Sequence, residues 1–132
     1  MNQSIAKAGT QLTGRILMST IFITAGISKI GAYAGTQGYM ESMGVTGALL
    51  PVVILLEIGG GLVVLLGWQS RIAAFLLAGF TVLSALLFHA NFTDQMQSIL
   101  FMKNLAIAGG LLLLVAGETH DWSIDAKHIA SA

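Results

Sequence analysis

Four stretches of this chain, residues 12–30, 48–67, 72–88 and 99–117, approach the length of about 20 apolar residues that spans hydrocarbon. Hydrocarbon offers the backbone no hydrogen-bond partners, so each stretch is predicted to be a helix whose amides pair internally. The predicted fold class is therefore all-α. One transmembrane domain covers residues 1–132 as an integral membrane four-helix bundle, with membrane lipid as its first partner. Composition agrees: 55% of the 132 residues are hydrophobic and 9% are charged, against about 25% charged in soluble domains. The first apolar run continues without a small-residue cleavage signature, so it is read as a retained helix and not a signal peptide.

Charges inside such runs are the next constraint. Lys103 lies within the fourth run and Glu57 near the middle of the second. A charge near the bilayer centre costs about 2.5–3.5 kcal/mol, which is tolerated where it faces protein, a partner or water. Net charge is zero, and no basic footprint argues for nucleic acid. The chain has no cysteine, which excludes disulfides, thiol redox chemistry and a thiolate-held metal or iron–sulfur site in this chain; no metal is expected.

The residues between runs two and three, Trp68-Gln69-Ser70-Arg71, predict a tight antiparallel hairpin. Gly67 suits a left-handed helix cap and Ser70 can cap the next helix. Residues 31–47 form a longer, glycine-broken connection, and Tyr33, Tyr39, Met40 and Met43 suggest a short interfacial segment there. Residues 91–98 read as a polar loop. With four spans both termini share one side with Arg71. That side carries Lys7, Arg15, Arg71 and Lys127 against Lys29 and Lys103, so the positive-inside bias points to cytoplasmic termini.

Helical geometry places residues seven or eleven apart on nearly one face. Arg15, Ser19, Gly26 and Lys29 then share a stripe, Glu57 shares its face with Gly60 and Gly61, and Arg71, Ala78, Val82, Ala85 and His89 align. In the fourth span Lys103 aligns with Ala106 and Gly110. Small residues permit close helix approach, so these faces are expected to point inward. Lys29, His89, Lys103 and Asn104 would ring a vestibule on the non-terminal side, with Glu57 at its floor, about 14 Å into its span. Arg15, Arg71, Trp68 and Glu118 would form a second polar layer at the opposite end. Other readings stand beside these. Lys29 and His89 either line the site or snorkel to the interface. A Glu57–Lys103 pair either serves a ligand or locks helix register. Arg71 reads as a topology anchor, Arg15 either snorkels or pairs with Glu118, and His120 and His128 read as solvated. Gly59–Gly61 reads as close helix packing.

Several stretches carry a resemblance over nearly the whole length. They are Phe22-Ile-Thr-Ala-Gly-Ile-Ser-Lys29-Ile, Tyr39-Met-Glu-Ser-Met-Gly44 and Leu55-Leu-Glu57-Ile-Gly-Gly-Gly61. To these are added Gly67 with Arg71-Ile-Ala-Ala74, Phe88-His89-Ala-Asn91-Phe92, and Met102-Lys103-Asn104-Leu-Ala-Ile-Ala-Gly109-Gly110. In order and spacing the set resembles the DoxX family of small four-helix bacterial inner-membrane proteins, and within it the YqjF-type members. The resemblance implies a multi-pass inner (plasma) membrane protein associated with oxidoreductase systems. Relatives include the small membrane subunit of a thiosulfate:quinone oxidoreductase. The residues matching the family's polar pattern are Arg15, Lys29, Glu57, Arg71, His89, Lys103 and Asn104.

The leading expectation is a membrane subunit that offers a quinone or small, even anionic, substrate a polar intramembrane site. Lys29, Glu57, His89, Lys103 and Asn104 would bind it. Among them Glu57, His89 and Lys103 would take catalytic roles, with Glu57 exchanging the protons that accompany quinone reduction. No cofactor is expected in this chain itself. One intramembrane histidine beside several methionines offers little for haem, since no two histidines share a side within the spans. Electrons would come from a redox-protein partner or a bound quinone. The alternative is a small transporter, which would need a homo-oligomer, or a partner-stabilising protein whose charges are structural.

Overall fold

The computed structural model describes residues 3–131, and every element in it is helical. In chain order these are α1 (Gln3–Gly31), α2 (Tyr33–Ser42), a 3₁₀ turn (Gly47–Leu49), α3 (Leu50–Leu66), α4 (Ser70–Phe88), α5 (Gln95–Ala116) and α6 (Ile124–Ser131). Three helices are long and apolar enough to cross a membrane: Gly47–Leu66, which joins the 3₁₀ turn to α3, then α4 and α5. The fourth candidate is the pair α1 and α2, bent by 100° at their junction. The expected four-helix bundle is thus corrected to six helices among the described residues.

The two extra helices lie where the sequence lacks apolar periodicity. The expected interfacial segment is the helix α2, folded across the non-terminal end. Gln37 holds it by donating from Nε2 to Gly47 O at 3.1 Å, while Val45 N donates to Met40 O at 2.9 Å. The polar tail ends in α6, held by contacts too distant in sequence to read from composition.

Boundaries shift for local reasons. α1 starts far before residue 12, at Gln3, and its hydroxyls are satisfied within the helix: Thr10, Thr13, Thr20 and Thr24 each donate to the carbonyl four residues back. A hydroxyl satisfied in this way sits on an exposed helix face at little cost. α5 begins at Gln95 because Asp94 caps it, its Oδ1 accepting from Met96 N at 2.9 Å. The α3–α4 hairpin turns on Gly67 at φ +69°, as its glycine predicts. Ser70 does not cap α4. The cap comes from Asp125 of α6, which accepts from Gln69 N at 2.8 Å and Ser70 N at 3.2 Å.

α1 packs on α3 and α4 on α5, with α3 and α4 joining the two pairs. The core is built from Phe22, Val64, Ala73, Ala74, Leu77, Ala78, Ala108 and Leu111. Alanines on α4 let its neighbours close in. At Gly61 α3 meets α1 so closely that a Cβ would lie 2.8 Å from Ile23 Cγ1 and 3.3 Å from the Ser19 carbonyl oxygen. The glycine run inside α3 is therefore close packing.

Candidate functional site

Packing in pairs leaves a gap at the non-terminal end, where α2 crosses the bundle. The gap is a cavity of about 270 Å³. α1 contributes Ile21, Phe22, Ala25 and Lys29; α2 contributes Thr36, Tyr39 and Met40; α3 contributes Val53 and Glu57. α4 adds Phe80, Thr81, Ser84, Phe88 and His89, and α5 adds Asn104 and Ile107. The walls are mostly apolar, and polar atoms enter from a few points. That is the usual constitution of a small-molecule site.

Glu57 is 3% exposed. Its Oε1 lies 2.9 Å from Lys29 Nζ, so the ion pair ties the end of α1 to the middle of α3. The angles of this contact fall outside those of an aligned hydrogen bond, and Oε1 has no other protein donor. A buried carboxylate oxygen facing the cavity thus retains capacity for a donor. Lys29 keeps part of its side chain accessible. It sits in the last turn of α1, where a cation also complements the helix dipole.

His89 ends α4, with Nδ1 2.8 Å from Gln97 Oε1. An amide oxygen only accepts, so Nδ1 carries the proton in this pairing. Asn104 reaches across from α5, its Nδ2 donating to Thr81 O at 3.5 Å, while Thr81 Oγ1 donates to Leu77 O at 2.7 Å. Tyr39 and Phe88 stack with centroids 5.6 Å apart and bring α2 against α4 at the edge of the cavity.

Four of the five expected site residues, Lys29, Glu57, His89 and Asn104, therefore surround one space. Lys103 does not. It is exposed on the outer face of α5, in a separate groove with Gln95, Ser98, Ile99, Met102 and Ala106. The expected Glu57–Lys103 pair is corrected to Glu57–Lys29, and the inward face of α5 to the one bearing Asn104, Ile107, Ala108 and Leu111. α5 is apolar on almost every side, so its one charge was the only guide to its rotation, and that charge faces outward. Thr36, Tyr39, Thr81, Ser84 and Phe88 were missed. Hydroxyls and aromatics are ordinary in membrane helices, and nothing in their spacing marks them.

The opposite end is organised differently. Arg15, 2% exposed, donates through Nη1 to Leu65 O at 3.3 Å and through Nη2 to Trp122 O. Its expected partner Glu118 pairs with Lys7 at 2.9 Å. Arg71 anchors the turn by donating to Gly117 O at 2.6 Å. The hydrogen bond and charge of Lys7 hold the Glu118 carboxyl below its ordinary range, and Glu118 raises Lys7 in return. His120, expected to be solvated, is half-buried. Burial first, then the charges of Arg15 and Lys7, lower its pKa.

The family model of DoxX matches residues 10–90, which hold the first three spans with Lys29, Glu57 and His89. The inner membrane protein YqjF of Escherichia coli K12 is 57% identical over 114 residues, covering 86% of this chain and 88% of its own. The inner membrane protein YphA of the same organism is 32% identical over 124 residues, covering 88% of each chain. No solved structure gave a significant match. By the extent of these matches this chain belongs to the DoxX family.

Proposed function

We propose that this protein is an inner-membrane subunit of an oxidoreductase system, and that the cavity beneath α2 receives the ring of a quinone. The observation that carries the reading is the pairing of an apolar chamber with one balanced ion pair. A quinone ring needs apolar walls and hydrogen-bond donors for its carbonyls. Lys29 and Asn104 are donors on two different helices around that space, and His89, whose Nδ1 proton goes to Gln97, presents Nε2 as an acceptor for a hydroquinone hydroxyl. Reduction of a quinone takes up two protons, and the Glu57 carboxylate beside Lys29 is the group suited to hold one at Oε1. Electrons would come from a redox-protein partner. The positive-inside bias still favours cytoplasmic termini.

The charge count favours a neutral ligand over an anionic one. With Lys103 outside, Lys29 is matched by Glu57, and no excess positive charge remains for an oxyanion. The second reading, a partner-stabilising protein with structural charges, draws on the same ion pair, which by itself locks α1 to α3.

Gentle extraction followed by analysis of bound lipids separates the two. The expected result is quinone retained with the wild-type protein and lost about tenfold or more in Asn104→Ala or His89→Ala, as befits removal of a hydrogen-bond partner from a buried site. Retention unchanged in both variants, or no quinone and no constant redox partner in pulldowns, overturns the quinone reading.

A further inference from the structure

We propose that the outer face of α5 holds an anionic phospholipid, with its phosphate on Lys103. The spans contain two lysines. Lys29 is matched by Glu57, whereas Lys103 makes no ion pair or hydrogen bond among the described residues. Its Cα lies eight residues into α5, about 12 Å from the start of the helix. Helical side chains lean toward the helix N-terminus and cover the preceding turn. Lys103 thus extends over Ile99 toward Gln95, and its ammonium comes to headgroup depth. The groove there has a volume of about 390 Å³ and is otherwise lined by Ser98, Met102 and Ala106.

Chemistry selects the occupant. The groove presents a cation and the Gln95 amide at headgroup depth, with Met102 and Ala106 deeper for an acyl chain. The Ser98 hydroxyl already donates to the Phe92 and Asp94 carbonyls, so Gln95 supplies the neutral donor. A second copy docked symmetrically along this face would bring two Lys103 ammoniums together, which is repulsive. Of the carboxylates at this end, Glu57 is buried in its own pair and Asp94 is engaged in capping α5, which leaves the exposed Glu41 of α2 as the one a second copy could offer, an alternative that the oligomeric state tests. A zwitterionic lipid carries its own ammonium beside the phosphate, so a net anion fits the unpaired lysine better. α5 is also the least covered of the three long apolar helices, with 11% of its apolar window buried against 22% and 28% for the others.

The test uses the full-length protein in detergent, with native mass spectrometry reading lipid and oligomer together. Phosphatidylglycerol, phosphatidylcholine and inorganic phosphate are added in turn. Wild type should prefer phosphatidylglycerol by about fivefold, the effect of one lysine at an anionic membrane surface. Lys103→Gln should lose that preference, Lys103→Arg should keep it, and Lys127→Gln, on the tail, should not change it. A preference that survives Lys103→Gln overturns the proposal. So does equal binding of phosphatidylcholine, or protection by inorganic phosphate alone. A dimer that dissociates in Lys103→Gln without any lipid preference assigns the groove to a protein partner and overturns it too.

Discussion

The two ends of the bundle start from similar material, a basic residue of α1 taken out of solvent near α3, and build opposite things from it. At the terminal end Arg15 is spent on backbone: it ties the Leu65 and Trp122 carbonyls together beneath Gly67. At the other end Lys29 meets a side chain, Glu57, and the pair borders open space. A guanidinium has five donors in a fixed fork and suits several carbonyls at once. An ammonium opposite a carboxylate neutralises charge while leaving the carboxylate capacity for another donor. The difference teaches where to look for function: charge absorbed by carbonyls is structure, whereas charge balanced beside a cavity is available for chemistry.

The sharpest way to break this contrast is a double-mutant cycle on the cavity pair. Removing one partner of a buried pair costs about 3–5 kcal/mol; partial exposure of Lys29 puts Lys29→Met at the low end. Glu57→Gln should also lower the thermal midpoint, and the double variant should recover part of the loss. Strictly additive losses would show that the 2.9 Å contact carries no coupling.

Gly67→Ala probes the other end. The left-handed backbone costs an alanine roughly 1–2 kcal/mol, and its Cβ would meet both Arg15 Nη1 and Ser123 Cβ. We expect a drop in thermal midpoint together with faster proteolysis of the segment after Gly117, and unchanged ligand retention at the cavity. A coupled loss of ligand would show that the two ends are not independent.

The smallest effect is the pH response of the terminal end. His120 has a lowered pKa in the folded protein, so the unfolded chain binds more protons just below the ordinary value of 6.5. Stability therefore falls as pH drops through that window. The Glu118 pKa is also lowered, and its contribution is lost at lower pH, as the carboxyl protonates. Thermal midpoints measured from pH 7 down to about pH 3 should decline in two stages, the second below the ordinary carboxyl range. His120→Gln should flatten the first and Lys7→Met the second; a flat profile in the wild type would refute both assignments.

The sequence made the membrane class, the α3–α4 hairpin at Gly67 and the cavity's Lys29, Glu57, His89 and Asn104 legible, but not its hydroxyls. Apolar runs, a glycine and buried charges each have few physical solutions. It did not decide which lysine meets Glu57. Lys29 and Lys103 approach the same depth from α1 and α5, and only tertiary packing chooses between them. Rotation of α5 was illegible because a helix apolar all round has no preferred inner face. α6 was illegible for a different reason. Its segment is held by Asp125 on α4 and by Arg15 on Trp122, contacts that no local pattern announces.

That last contact also sets an order of assembly. α1 is made well before this segment, and the Trp122 carbonyl that completes the surroundings of Arg15 lies 107 residues downstream. Until that segment docks, the Leu65 carbonyl is the one of these two acceptors the guanidinium can have, and water must serve its other donors. Docking brings the second acceptor. The segment that holds Trp122 thus works as a latch, and a chain cut short before it would leave Arg15 of α1 without that acceptor.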